Sequence, residues 1–243
     1  MRVDRAAYAC LWLLLPGLPF LTAAASPLAG DAACSACHTT QTAHYRATPM
    51  GQALETVAVC NILKQHADLS FQEGPYQSRI VRQGDRSTLT VTRAGETLTV
   101  PLLWAFGLGQ AGQTYVFEYN GAFYESRVSF FYALGALDLT MGAANTKPQT
   151  ILEAAGRHMS SMEARDCFGC HSNGGVSDGK LHMDAMIPGV GCESCHVAAA
   201  KHANAVRAGC RRAPCASSWV APSCSEKAAP AGIVRLRARS SRL

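Results

Sequence analysis

Three copies of one five-residue pattern carry the chemistry of this chain: Cys34-Ser35-Ala36-Cys37-His38, Cys167-Phe168-Gly169-Cys170-His171 and Cys192-Glu193-Ser194-Cys195-His196. Two thiols on one short segment can each form a thioether to a haem vinyl group, and the adjacent imidazole can then bind the iron as its proximal ligand. Cysteine would hold the ring and histidine the metal. With 11 Cys and 8 His in 243 residues, chance would supply only about 0.02 such patterns. The spacing therefore predicts three covalently attached haem c groups, with Cys34, Cys37, Cys167, Cys170, Cys192 and Cys195 as attachment points and His38, His171 and His196 as proximal ligands.

The face of each iron opposite its proximal histidine decides what the haem does. A six-coordinate iron exchanges electrons with little rearrangement, while an open position admits a substrate. The candidates for the sixth position are His44, His66, His158, His182, His202 and the thioether of Met50. His202 lies six residues after His196, too near in sequence to reach easily across its own haem but well placed to serve a neighbour. His44 repeats that spacing after His38, with Met50 as its competitor. His158 rides on the helix predicted to lead into the second motif. His66 and His182 read at least as well as ordinary imidazoles.

These motifs must be positioned by the elements around them. Residues 31–64 read as a haem loop followed by helix, with Gln52 to Glu55 and Asn61 to Lys64 the best helix formers. Between Leu69 and Phe131 the pattern turns to period two and predicts an antiparallel meander. Its clearest hairpin is centred on Asn120-Gly121, a pair suited to a two-residue turn, and that register sets Phe117 opposite Tyr124. Trp104, Phe106, Tyr115, Phe117, Phe130 and Phe131 read as core rather than as a cofactor box. A helix is expected from Ile151 through Met159 to Ala164. Only a glycine-rich loop separates the second and third motifs, which should hold their haems close together.

The expected division is a signal peptide (1–25), a first haem-binding segment (26–66), a β-rich insertion (67–140), a helix with paired haem motifs (141–205) and a basic tail (206–243). Arg2 and Arg5, an apolar run to Leu21 and Ala23-Ala24-Ala25 form the export signal. Pro16 and Pro19 interrupt that run, so no transmembrane anchor is expected after cleavage. Export to the periplasm, or otherwise out of the cytoplasm, suits covalent haem attachment and exposes spare thiols to oxidation. Residues 26–200 hold eleven Lys and Arg against fifteen Asp and Glu, a net of −4, whereas residues 201–243 hold nine against one, a net of +8. The acidic part favours redox protein partners over nucleic acid. The tail reads either as a solvated cationic segment or as the product of an out-of-frame gene reading.

Gly189-Val190-Gly191-Cys192-Glu193-Ser194-Cys195-His196, the paired motifs and the later His202 resemble the multihaem c-type cytochromes gathered around the tetrahaem cytochrome c-554 of nitrifying bacteria, the cytochrome c-552/4 group. The stretch from Pro101 through Ser129 is similar to a β insertion in some exported members. The segment between His196 and His202 departs from the group's usual Gly-Pro-Gly. The resemblance implies a periplasmic electron carrier or a part of a quinol-linked respiratory complex, with mostly bis-histidine haems. The fold expected is α+β, with helix and loop haem-binding segments and an antiparallel β-rich insertion.

Three other readings compete. A multihaem oxidoreductase would keep one haem open for catalysis. A four-cysteine zinc site could use the pairs at 167/170 and 192/195, but it does not need His171 or His196 and leaves the first motif without a partner. A thiol redox protein lacks the surrounding βαβ pattern.

Overall fold

Alternation of apolar and polar side chains organises most of this protein. The computed structural model describes residues 28–196 and 198–209; the expected signal peptide and all but the start of the basic tail lie outside the described residues. Along β4 (Arg86–Arg93) Ser87, Leu89 and Val91 are buried while Thr88, Thr90 and Thr92 lie on the other, partly exposed face, the period-two signature of a strand with one covered face. The same logic yields β1 (Leu54–Thr56), β2 (Asp68–Glu73), β3 (Tyr76–Gln83), β5 (Glu96–Phe106), β6 (Gln113–Tyr119), β7 (Ala122–Phe131), β8 (Ala136–Leu139) and β9 (Gly156–His158).

Strands β2 to β8 pair antiparallel in chain order, with β1 added to β5 and β9 to β7. The two ends of this path, β2 and β8, lie against each other, so the sheet curls into a nearly closed barrel. Across the seam the buried Arg127 of β7 donates to both carboxylate oxygens of Glu73 of β2, each at 2.6 Å. The β6–β7 hairpin turns at Asn120 and Gly121, both at positive φ (50° and 76°), and Phe117 pairs with Tyr124 in the register read from the sequence. Their rings stack at 5.4 Å.

The barrel interior holds Tyr115, Phe117, Phe130, Ile80, Leu89 and Val91, none more than 1% exposed. Helices α3 (Asn61–Gln65) and α4 (Ile151–Ala155) contribute Ile62, Leu63, Ala154 and Ala155 to the same core. A second cluster forms from Trp104 and Phe106 of β5, Val116 of β6 and Phe123 of β7 with Phe168 of α5 (Ser161–His171). Trp104 and Phe106 are therefore half-buried members of a different core from Tyr115 and Phe117.

The α+β expectation is corrected by this architecture. The protein is mostly β, with thirteen strands among the described residues, and its helices are short, the longest being α5. No helix-rich haem-binding fold is present there. Two local causes account for the lost helix. Gln52 to Glu55 are good helix formers, but pairing Leu54 with Phe106 and Glu55 with Ala105 satisfies the backbone and buries Leu54 to 2% exposure. The run from Ile151 to Ala164 is broken at Gly156, where a Cβ would come within 2.4 Å of the Glu125 carbonyl oxygen. Helix α5 then restarts at Ser160, whose Oγ accepts from the Glu163 N–H at 3.2 Å.

Candidate haem-binding site

The second motif forms the last turns of α5. A helical turn puts residues i, i+3 and i+4 on one side, so Cys167, Cys170 and His171 share a face. Phe168, between the two cysteines, is turned toward the sheet on the His171 side of that face and is fully buried. Its ring meets Phe106 at 5.1 Å, Phe123 at 5.5 Å and Trp104 at 5.7 Å, which fixes the helix on the outer face of β5 to β7. Gly169 gives the close approach on the opposite side, since a Cβ there would lie 2.9 Å from Val176.

His171 is oriented from two directions. Its Nδ1 lies 3.0 Å from the Ala53 carbonyl oxygen, and because a carbonyl only accepts, the neutral ring carries its proton on Nδ1 and leaves Nε2 as the lone-pair nitrogen. Phe106 closes edge-on against the ring at 5.2 Å. A ligand histidine is held in this way, one nitrogen bonded to the protein and the other free to bind metal. Burial, and then the carboxylates of Glu163 and Glu125, push the Cys167 thiol up from its ordinary pKa.

The first and third motifs repeat one local geometry. Helix α1 (Asp31–Ser35) ends in a turn where the N–H of His38 donates to the Cys34 carbonyl at 2.8 Å; in the third motif His196 donates to Cys192 at 2.9 Å. Each motif leads into a helix, α2 (Thr39–Arg46) or α6 (Ala199–Arg207). The two turns are neighbours: burial, then Asp31 and the Cys34 thiol, push Cys192 up to about 11. The Tyr45 hydroxyl of α2 is raised by burial and then by Cys195 and Cys192.

The sequence joins the second and third motifs by a short linker, and the structure links them through paired strands. β10 (Ser172–Asn173) pairs with β13 (Ile187–Pro188), enclosing the small hairpin of β11 (Val176–Ser177) and β12 (Lys180–Leu181). Asn173 Oδ1 accepts from the Gly191 N–H at 3.3 Å and from the Ser194 hydroxyl. Long-range contacts add the first motif to this assembly.

Of the distal candidates, His202 on α6 is brought to the first motif, its ring centre 6.2 Å from that of His38 and inclined at 35°. His44 is exposed in the last turn of α2. The Met50 side chain is exposed, while its carbonyl accepts from the Val190 N–H at 3.1 Å. His158 lies on β9, edge-on to Tyr124 at 5.5 Å, beside a cleft of about 560 Å³ that also reaches Met162 and Lys180. His66 packs on Phe130 at 4.6 Å.

Residues 139–197, about a quarter of the chain, match the family described as cytochrome c554 and c-prime. This supports a c-type cytochrome. The matched segment contains the second and third motifs, and covalently bound haem c is the cofactor it points to. No curated protein and no solved structure matches the chain. The donor set fits the group: each motif offers two thiols and one imidazole within a single backbone turn. A four-thiol zinc site is not assembled, because no group of three or more His, Cys, Asp or Glu among the described residues converges to hold a metal ion. No helix among them is long and apolar enough to cross a membrane.

Sequence reasoning passed over Phe168, Asn173, Glu193 and Asp31, which hold the three turns in place. Phe168 and Glu193 sit at the unspecified positions of the motif, where the pattern itself gives no signal.

Proposed function

We propose that this protein is an exported three-haem c-type cytochrome that passes electrons between redox protein partners or a quinol-linked respiratory complex. The observation that carries this reading is the 6.2 Å between the rings of His38 and His202. Two imidazoles bound to opposite faces of one metal ion, each at about 2 Å, have ring centres roughly 6 Å apart. His38 would be the proximal and His202 the distal ligand of the first haem. When bound, each haem supplies an iron that alternates between the ferric and ferrous states.

The chain's own part is to hold, orient and space these groups. Cys34 and Cys37, Cys167 and Cys170, and Cys192 and Cys195 would anchor the rings, and His38, His171 and His196 would supply the proximal ligands. The first and third motifs share the Asp31 and Glu193 contacts, while the second is fixed on the sheet through Phe168, so the three sites form one connected group. His44 stands at the same offset from His38 as His202 from His196 and is the matching candidate for the haem of the third motif.

The test is expression with the cytochrome c maturation machinery, followed by intact mass and an alkaline pyridine spectrum. Three covalent haems are expected. A colourless protein, or a mass equal to polypeptide plus zinc, refutes the reading. Electron paramagnetic resonance on the same sample reads the sixth ligands: low-spin iron throughout marks a carrier, and a high-spin ferric signal in the resting protein marks an open, catalytic haem.

A further inference from the structure

Glu193 occupies the second position of the third motif and is only 9% exposed. Its two carboxylate oxygens accept from successive backbone N–H groups, those of Ala29 at 2.9 Å and Gly30 at 2.8 Å. These residues immediately precede α1 and the first motif. The contact is returned from the other side, where Asp31 Oδ1 accepts from the Cys192 N–H at 3.3 Å. Each motif segment thus supplies a carboxylate to the backbone of the other. Gly30 has φ of 73°, a left-handed conformation that costs a glycine little. Hydrogen bonds to an ionised acceptor are stronger than those between neutral groups.

The clamp works at close range and at high leverage. A Cβ on Gly191 would lie 3.2 Å from Asp31 Oδ1 and 2.1 Å from Asn173 Nδ2, so glycine before Cys192 leaves room for both side chains. Helix α6 begins three residues after His196 and lies against α1. The approach of His202 to His38 therefore follows from how the third motif is seated on the start of α1. Ligand sites need their side chains held to within about 0.5 Å, and a two-point carboxylate contact is suited to that.

We propose that Glu193 is a positioning residue: by locking the first and third motifs together it places His202 opposite His38. This rests on the haem reading above. The experiment uses the full haem-loaded chain, with Glu193→Gln, Glu193→Ala and Glu193→Asp compared with the parent and with His202→Ala. An amide presents an N–H₂ to one of the two N–H donors and carries no charge, whereas Asp keeps both oxygens.

Glu193→Gln and Glu193→Ala should retain three haems by mass yet lose the same low-spin signal that His202→Ala loses, with a high-spin signal in its place, and Glu193→Asp should recover part of it. Glu73→Ala, on the distant barrel seam, should lower stability without altering the spectrum. Unchanged spectra in Glu193→Gln and Glu193→Ala, or loss of all three haems together, overturn the positioning role. A parent chain without covalent haem refutes the haem reading itself, and is thereby distinguished from a haem-loaded parent whose Glu193 variants behave normally.

Discussion

The imidazole of His171 is tied through Nδ1 to the carbonyl oxygen of Ala53, 3.0 Å away, so the loop leading into β1 determines how the last residue of α5 faces. A hydrogen bond of this kind makes the remaining nitrogen a better donor to iron and favours the ferric state.

Replacing His171 by Met should therefore leave the thioether bonds of the second motif intact and raise the reduction potential of one haem, because a thioether ligand favours ferrous iron. A spectroelectrochemical titration checks this. A fall in potential, or no change in any wave, contradicts the assignment of His171 as a ligand.

His202→Ala should convert one low-spin haem to high spin while His158→Ala leaves the spectrum as it is, since His202 lies against the motif histidine His38 and His158 lies against Tyr124. Electron paramagnetic resonance of the two variants decides between them.

Phe168→Ala removes a fully buried ring that three other aromatic rings contact. A loss of about 3–5 kcal/mol in unfolding free energy is expected, measured by urea denaturation of the parent and the variant. The second haem should become more exposed at the same time, which solvent perturbation of its absorption band reports.

Glu73→Ala leaves the buried guanidinium of Arg127 without its carboxylate. Glu73 is itself partly exposed, so the expected loss is about 3 kcal/mol, the lower end for a broken buried pair. Haem content should not change, and thermal melts with pyridine spectra test both statements.

Cys60 should resist alkylation at pH 8 in the folded protein and react once the protein is unfolded in urea. It has no exposed surface and donates to Gln113 Oε1 at 3.1 Å. Burial, its largest influence, raises the pKa of the thiol, which lowers the thiolate fraction at that pH. Mass spectrometry after iodoacetamide labelling gives the answer. The other cysteines outside the motifs, at positions 10, 210, 215 and 224, lie outside the described residues.

What the sequence made legible was local. Asn120-Gly121 specifies its own turn, and the turn sets the pairing of Phe117 with Tyr124. The strand at Leu54 was not legible, because its partner Phe106 is remote in the chain and residues 52–55 favour helix when read alone. Gly156 was visible as a glycine, but the Glu125 carbonyl that requires it was not. The haem motifs stood out by residue type and spacing. Their grouping did not, since the contacts of Glu193 with Ala29 and Gly30 and of Asp31 with Cys192 join segments more than 150 positions apart and leave no periodic trace.

Strand β6 faces two ways. Tyr115 and Phe117 look into the barrel, while Val116 between them belongs to the cluster around Phe168. Neighbours in the chain thus serve separate ends: the odd-numbered pair is held to the shape of the barrel interior, and the residue they flank is held to the aromatic seat of α5. A change of side-chain volume along the strand must accordingly be absorbed by turns on two different sides, inside the barrel and beneath the helix.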